Sequence, residues 1–385
     1  MATGTRTTYT DTNVKPESLN DAIHFIDWTE APLLKLLGMN NESRFRMTQW
    51  PRTKYEWLED TMSATTTTLS EAVSIAETAI DVADGSLFIE GDIVRVQDTT
   101  GELMYVESVA TNTITVIKAF AGTADSAHDS GATIELAFPA RIEGADFDTG
   151  HTTAVSRLYN HTQIFAEAVR VTGSEMVDEN YGIDDVMAYN LQKLIGGGGM
   201  IGAKGKAGKL SIALQKTFYY GQRAAGTATT SRAMGGFKYY TTTNVTDKNS
   251  TALTLKDIED LMELCFLAGG NPSMLVANTW VWRKINEFFA GNIRTERSES
   301  EGGHVISSIK TVFGNIEVMF DRWCPTDELY LIEPDKMGWI TYRPWQVLDR
   351  PATGDYEVKE VLGEFGFVLV NQTAGGYIKE ISTTS

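Results

Sequence analysis

Apolar residues along the chain recur at two spacings, and the switches between them mark its elements. Ile183, Val186, Met187, Leu191 and Leu194 recur at three and four, which places them on one face of a helix. Gly196 to Gly199, Gly202, Gly205 and Gly208 then put seven glycines into thirteen residues. Each costs about 1 kcal/mol relative to Ala inside a helix, so the helix stops there and a second is predicted from Leu210 to Tyr220. Thr254 and Asp257 form a capping box ahead of a stripe of Leu255, Ile258, Leu261, Met262 and Cys265. Asn278 caps a further amphipathic helix carrying Val281, Ile285, Phe288 and Phe289. The apolar run Met274 to Ala277 between them reads as a strand, so this unit is helix, strand, helix. Strands follow at Ile306 to Phe313, Ile316 to Phe320, Glu328 to Ile332 and Tyr356 to Asn371, and the polar stretch Arg294 to His304 is predicted to be a mobile loop. Near the start, Ser18 with Asp21 caps a short helix bearing Leu19, Ile23 and Ile26, which Thr29 to Pro32 interrupts.

A different rhythm occupies Ala64 to Ala140. Alternating runs at Asp92 to Gln97, Glu102 to Val109 and Thr113 to Ile117 are separated by turn signals at Asp84-Gly85, Thr100-Gly101 and Asn112. The segment carries twelve Asp or Glu against two basic residues, Arg95 and Lys118, more than half the net charge of the chain. This predicts a small antiparallel β domain with a solvated, acidic outer face.

Composition narrows the function. The 385 residues are enough for two or three domains, and 42% hydrophobic with 22% charged residues excludes wholesale disorder. Thirty-three Lys and Arg against fifty-one Asp and Glu give a net charge of −18. Such a balance argues against a general nucleic-acid binder and against attachment to anionic lipid. No apolar run is long enough to span a membrane, and the Thr-rich start has no signal-peptide pattern. Cys265 and Cys324 lie far apart in ordinary segments, so neither a disulfide framework nor a four-ligand zinc site is expected, and a reducing cytoplasm is the simplest home.

Catalytic patterns fail in turn. A P-loop ending at Gly205-Lys206 would need glycine where Met200 stands, and one ending at Gly208-Lys209 would need it where Ala203 stands. The segment reads instead as a flexible basic hinge with Lys204, Lys206 and Lys209. Asp125, His128, Asp129 and Ser130 include triad residue types but sit in one short acidic stretch, which reads as a solvated loop. Asp146, Asp148 and Gly150 hint at a calcium loop that lacks its downstream glutamate. His24, His128, His151, His161 and His304 show no metal-ligand spacing. Trp280, Trp282, Trp323, Trp339 and Trp345 read as core or interface aromatics ahead of ligand platforms. No enzyme, cofactor or metal is expected.

What remains is an arrangement for contact between subunits. Arg44 to Asp60, with Trp50, Tyr55 and Trp57, and Ala140 to Val171 bracket the acidic segment, so the two flanks meet at its base as a long two-stranded arm. A hairpin of that length is marginal alone, which makes another copy of the chain its expected support. The run RLYNHTQIFAEAVRVTG at Arg157 to Gly173, followed by FYYGQRA and MGGFKYY, resembles the centre of tailed-bacteriophage major capsid proteins. GNIEVMFDRW, ELYLIEPDKMGWITYRPW and PATGDYEVKEVLGEFGFVLVNQTAGG resemble the closing signature of a subfamily with a β insertion in its extended loop, and NDAIHFIDWTEAPLLKLLG resembles its opening segment.

The resemblance implies an α+β phage major capsid fold, the Johnson or Hong Kong ninety-seven-like fold. Carried over, it implies an N-terminal arm at 1–43 and an extended loop at 44–172 holding an all-β insertion at 64–140. A peripheral domain with a spine helix would follow at 173–240, an axial domain at 241–350, and peripheral strands at 351–385. It implies an icosahedral shell of hexamers and pentamers around phage DNA held without sequence-specific binding. Scaffold, portal and decoration proteins are its implied partners and the virion its place. A separate scaffold, or processing of the chain, is expected because no scaffolding-type extension precedes the arm. Candidate assembly residues are Trp50, Tyr55, Trp57, Arg157, Asn160, Gln163, Gly354, Asp355, Glu364 and Asn371. An encapsulin-like cellular compartment and a β-rich carbohydrate-binding surface protein are the alternatives.

Overall fold

The computed structural model describes residues 31–37, 52–60, 64–144, 150, 154–180, 183–196, 208–289 and 308–383. The helix expected around 18–26, the Gly-rich stretch 197–207, the loop 294–304 and Trp50 lie outside these. The chain divides into two compact units, one of Met1–Trp57 with Tyr159–Ser385 and one of Leu58–Leu158. Helix α1 (Pro32–Leu36) starts with Pro at its first position, where the missing N–H costs nothing, and buries Leu33 and Leu34. Strand β1 (Lys54–Glu59) follows it.

The smaller unit holds β2 (Thr66–Thr68), β3 (Ala79–Asp81), β4 (Asp92–Val96), β5 (Leu103–Ala110), β6 (Thr113–Ile117) and β7 (Thr133–Pro139). They form one sheet in the order β2-β7-β4-β5-β6-β3, every neighbour antiparallel. Alternation buries Val94, Val96, Met104, Val106, Ile114, Val116 and Ile134 in a common core. Gly85 is required at its turn because a Cβ there would stand 2.1 Å from the Thr111 carbonyl.

Two expectations for this unit are corrected. The acids do not all face water, since Asp92 and Glu102 are buried. His128 is not in a solvated loop but 3% exposed, its Nδ1 2.5 Å from Asp98 and its Nε2 3.0 Å from Glu102. The Glu102 carboxylate also accepts the amides of Ala119 and Ser126, and the buried Lys118 ammonium reaches Asp125 at 2.8 Å and the Ser126 carbonyl at 2.7 Å. Burial pushes the Asp98 carboxyl up, but hydrogen bonds from Thr100 and His128 outweigh it and hold it down at about 2. These charges are tolerated inside because each is paired and hydrogen-bonded, and their partners sit far apart in sequence, where no local pattern reveals them.

Strand β8 (Ser156–His161), which pairs with β1, begins in the smaller unit and ends in the larger, which continues with β9 (Gln163–Thr172). Next come α2 (Gly173–Val177), α3 (Val186–Ile195), α4 (Lys209–Tyr220), α5 (Phe237–Tyr240), β10 (Val245–Asp247), α6 (Leu255–Leu267), β11 (Met274–Ala277) and α7 (Thr279–Phe289). The chain ends with β12 (Ser308–Thr311), β13 (Gly314–Phe320), β14 (Leu329–Ile332), β15 (Met337–Arg350), β16 (Tyr356–Leu369) and β17 (Gly376–Lys379). A six-stranded mixed sheet runs β10-β17-β14-β11-β13-β12, with β10–β17 and β11–β13 parallel. Ile258, Leu261, Met262 and Cys265 of α6 and Val281 and Ile285 of α7 share a core with Leu275, Leu329, Leu331 and Ile378 of that sheet. The capping box is realised, Thr254 Oγ1 accepting the Asp257 amide and Asp257 Oδ2 accepting the Thr254 amide.

A three-stranded antiparallel sheet, β15-β16-β9, is the second layer. Strand β15 has no counterpart in the sequence reading. Pro344 lies inside it, where the register shifts between Arg343 and Gln346 and no ladder N–H is needed. Pairing also redistributes the C-terminal half. Residues 337–350, expected with the axial segment, join β16 and β9, whereas 376–379, expected in the peripheral sheet, join β14 and β10. Chain order does not reveal this exchange, because the pairings of β16 with β9 and of β17 with β10 join strands far apart in sequence.

Candidate functional site

Four of the residues singled out by sequence, Tyr55, Asn160, Gln163 and Glu364, converge on one buried polar clamp in the larger unit. Asn160, at the end of β8, is fully buried. Its Nδ2 donates to the carbonyls of Gly235 at 3.0 Å and Phe367 at 2.7 Å, and its Oδ1 accepts the amides of Gly235 at 2.9 Å and His161 at 2.8 Å. One side chain therefore joins β8, the 222–236 segment and β16. Tyr55 donates its hydroxyl to the same Phe367 carbonyl at 2.7 Å. Gly366 permits this, since a Cβ there would stand 2.5 Å from the Tyr55 hydroxyl.

Three residues before Phe367, Glu364 gathers the positive side of the clamp. It is 1% exposed and accepts from the Thr162 hydroxyl at 2.5 Å, from Arg343 Nε at 2.9 Å and from Arg232. Arg232 Nε also donates to the Thr162 carbonyl at 2.9 Å, and Gln163 Oε1 accepts the Met234 amide at 3.2 Å. The segment after α4 is thus fastened to β8 and β9 by Asn160, Gln163 and Arg232 together. Sequence reasoning named Asn160, Gln163 and Glu364 but missed Thr162, Arg232 and Arg343. The available signal was an Arg placed just before the Gly235-Gly236 pair, a cation beside a tight backbone turn.

The other candidates are placed elsewhere. Tyr55 and Trp57 are buried against the chain's own aromatics, Trp57 meeting Tyr240 edge-on at 5.6 Å, so neither ring is free to anchor a neighbour. Arg157 is exposed and belongs to the smaller unit. Gly354 and Asp355 form the exposed turn between β15 and β16, where the Asp355 carbonyl accepts the Gly173 amide at 3.2 Å. Asn371 adopts the left-handed conformation, φ 58°, that ends β16.

Beside the clamp lies a cleft of about 420 Å³ lined by Lys54, His161, Ile164, Thr227, Thr230 and Arg232 among others. Burial, together with the nearby charges of Arg223, Lys54 and Arg232, holds the His161 imidazole below its ordinary pKa. Among the described residues no group of three or more His, Cys, Asp or Glu is arranged to hold a metal ion. Cys265 and Cys324 are both buried thiols, and burial pushes Cys265 up to about 11, which makes it a poor nucleophile. The clamp fixes strands and loops.

A second feature is apolar and exposed. Leu264, Phe266 and Leu267 at the end of α6 are 47%, 56% and 74% exposed, and Val312 between β12 and β13 is 94% exposed. Phe266 and Phe313 bring their rings within 5.7 Å, which sets the end of α6 beside the turn between β12 and β13.

The chain matches the family model described as SU10 major capsid protein over residues 1–382. Its fold is similar to the cyanophage A-1(L) capsid subunit, with a TM-score of 0.55 at 14% identity, covering 98% of this chain and 100% of that one. It is similar also to the capsid protein of a native GTA particle, with a TM-score of 0.50 at 11% identity over 97% of each chain. A Synechococcus elongatus encapsulin matches over 60% of this chain and 79% of its own, at 7% identity and a TM-score of 0.40. No curated protein matches significantly.

Proposed function

The chain belongs to the SU10 major capsid protein family, and from that premise we propose how it builds its shell. It is a structural subunit with the phage major capsid fold, assembling with its own copies into a capsid and located in the virion. The observation that carries this is the family match over almost the whole length. In our reading the copies form hexamers and pentamers of an icosahedral head assembled in the host cytoplasm. That head encloses double-stranded DNA without reading its sequence and cooperates with scaffold, portal and decoration proteins. The three-stranded sheet with α2 to α4 is the peripheral layer, the six-stranded sheet with α6 and α7 is the axial one, and 44–172 is the extended loop. Electron microscopy of the purified, concentrated chain tests the reading: closed particles are expected, and a monomer at every concentration, with or without a scaffold, would sink it.

The apolar patch of Leu264, Phe266, Leu267 and Val312 fits a surface buried between copies, because side chains this exposed gain about 25 cal/mol per Å² when covered. Leu267→Asp is expected to cut particle yield about tenfold while leaving circular dichroism unchanged, since its side chain touches water and not the core. Normal assembly of that variant would remove the patch from the interface.

The smaller unit is dispensable for closure in this reading. Its ends are held together, the Leu136 amide donating to the Thr65 carbonyl at 2.8 Å, so a short linker can replace Thr65 to Phe138. The deletion is expected to assemble, visible as particles in micrographs. A soluble, folded deletion protein that forms none would make this unit an assembly element.

A further inference from the structure

The cleft beside the clamp is a positive island in a chain of net charge −18. Lys54 and Arg232 line it, and Arg223 stands close enough to act on His161. Their negative partners are too few. Arg232 shares the single carboxylate of Glu364 with Arg343, and Lys54 pairs with Glu56 at 2.5 Å on the strand surface. Arg223 meets no carboxylate among the described residues; its guanidinium donates to the Tyr159 carbonyl and stacks 3.9 Å from the Tyr159 ring centre. Among the described residues, Lys54, Arg223, Arg232 and Arg343 thus share two carboxylates.

The wall of the cleft is built in advance. Backbone bonds between Ala224 and Ala233 close the 225–232 segment as a small loop, and Thr227 Oγ1 accepts the amides of Thr229 and Thr230. Gly226 lets the two sides approach, for a Cβ there would stand 2.7 Å from the Arg232 amide. The ring nitrogens of His161 have no hydrogen-bond partner among the described residues, and Thr230 adds a hydroxyl. Ile164 and Ala225 offer apolar contact for a methylene stem.

We infer that this cleft receives an acidic side chain, an Asp or Glu, from a second copy of the chain. The inference rests on the capsid reading, in which every subunit lies against others. A chain with surplus carboxylates offers such a group at most contacts, and a cation-lined recess is where one gains most from burial. A DNA duplex fits less well, because its phosphates lie on a convex surface and the cleft is concave.

The experiment uses shells assembled from equal amounts of isotopically labelled and unlabelled full-length chain. They are treated with a carbodiimide, which joins an amine directly to a carboxylate it touches, and digested for mass spectrometry. Lys54 is expected to be joined to an Asp or Glu of a differently labelled copy, and the link to be absent from unassembled subunits. Shells in which Lys54 joins only residues of its own chain, or none, overturn the inference while leaving the capsid reading intact; absence of shells strikes the capsid reading instead. Protection of Lys54 only in DNA-filled heads would give the cleft to phosphates and overturn it as well, as would inorganic phosphate bound equally by free subunits and shells. As a second arm, Lys54→Glu is expected to lower particle yield about tenfold at low salt. Lys256→Glu, the same charge change at an exposed position on α6, leaves yield unchanged. Equal yields from the two variants would also overturn it.

Discussion

Glu364→Ala is expected to destabilise the unassembled subunit by about 3 kcal/mol and to abolish particles at concentrations where the parent chain assembles. The carboxylate is 1% exposed and serves Arg232, Arg343 and the Thr162 hydroxyl at once. Breaking a buried ion pair from one side costs about 3–5 kcal/mol when the surviving charge is trapped. Arg232 and Arg343 keep 29% and 42% of their side-chain surface, so part of that cost is recovered by water and the lower end applies. Glu364→Gln keeps an acceptor for Thr162 and loses only the charge, so about 1–2 kcal/mol is expected. Urea titration followed by tryptophan fluorescence measures both. A Gln midpoint equal to the parent's would mean that the charge contributes nothing and the clamp is held by neutral hydrogen bonds alone.

The local part of this architecture was legible in the sequence and the non-local part was not. The Thr254 and Asp257 box, the Asn278 cap and the glycines that end α3 act within a few residues, so their spacing alone reports them. Strand β15 escaped because Pro344 and the shifts around Arg343 break the alternation that identifies a strand, and its pairing with β16 supplies what the pattern lacks. His128 escaped for a related reason. Its partners lie 30 and 26 residues earlier, and only the sheet that brings Asp98 and Glu102 under the loop makes burial tolerable.

The candidate site divides the same way. Asn160, Gln163 and Glu364 came from likeness to a family, and they converge although Glu364 lies 202 residues from Thr162, its hydrogen-bond partner. Tyr55 and Trp57 were chosen because aromatics anchor interfaces. The same property serves an internal core equally well, and composition cannot distinguish the two destinations. Cations present the converse case: Lys54, Arg223 and Arg232 are unremarked in a sequence dominated by acid, and only the fold collects them around His161.

Phe218→Ala is expected to be the most damaging single truncation, costing about 3–5 kcal/mol. The ring is fully buried on α4 and touches four others: Tyr219 at 5.1 Å, Phe237 of α5 at 5.2 Å, Phe367 of β16 at 5.5 Å and Tyr330 of β14 at 6.0 Å between centres. The six-stranded and the three-stranded sheets therefore both pack against one side chain, and a cavity there cannot collapse without moving strands of each. The same helix is fastened by Gln215 and Tyr219, which donate to the buried Asp321 carboxylate, so its backbone resists drifting inward to fill the gap. A loss of about 4 kcal/mol lowers the folded-to-unfolded ratio about a thousandfold, a large share of the 5–15 kcal/mol typical of a domain. Shell contacts form only between folded copies, so they offset part of this loss by mass action, and more subunit is needed before particles appear. Phe218→Leu fills most of the space and is expected to cost about 1–2 kcal/mol, leaving particles intact but less heat-stable. The two variants are compared by denaturant midpoint and particle yield; an alanine variant that assembles like the leucine one would show that the two sheets hold together without the ring between them.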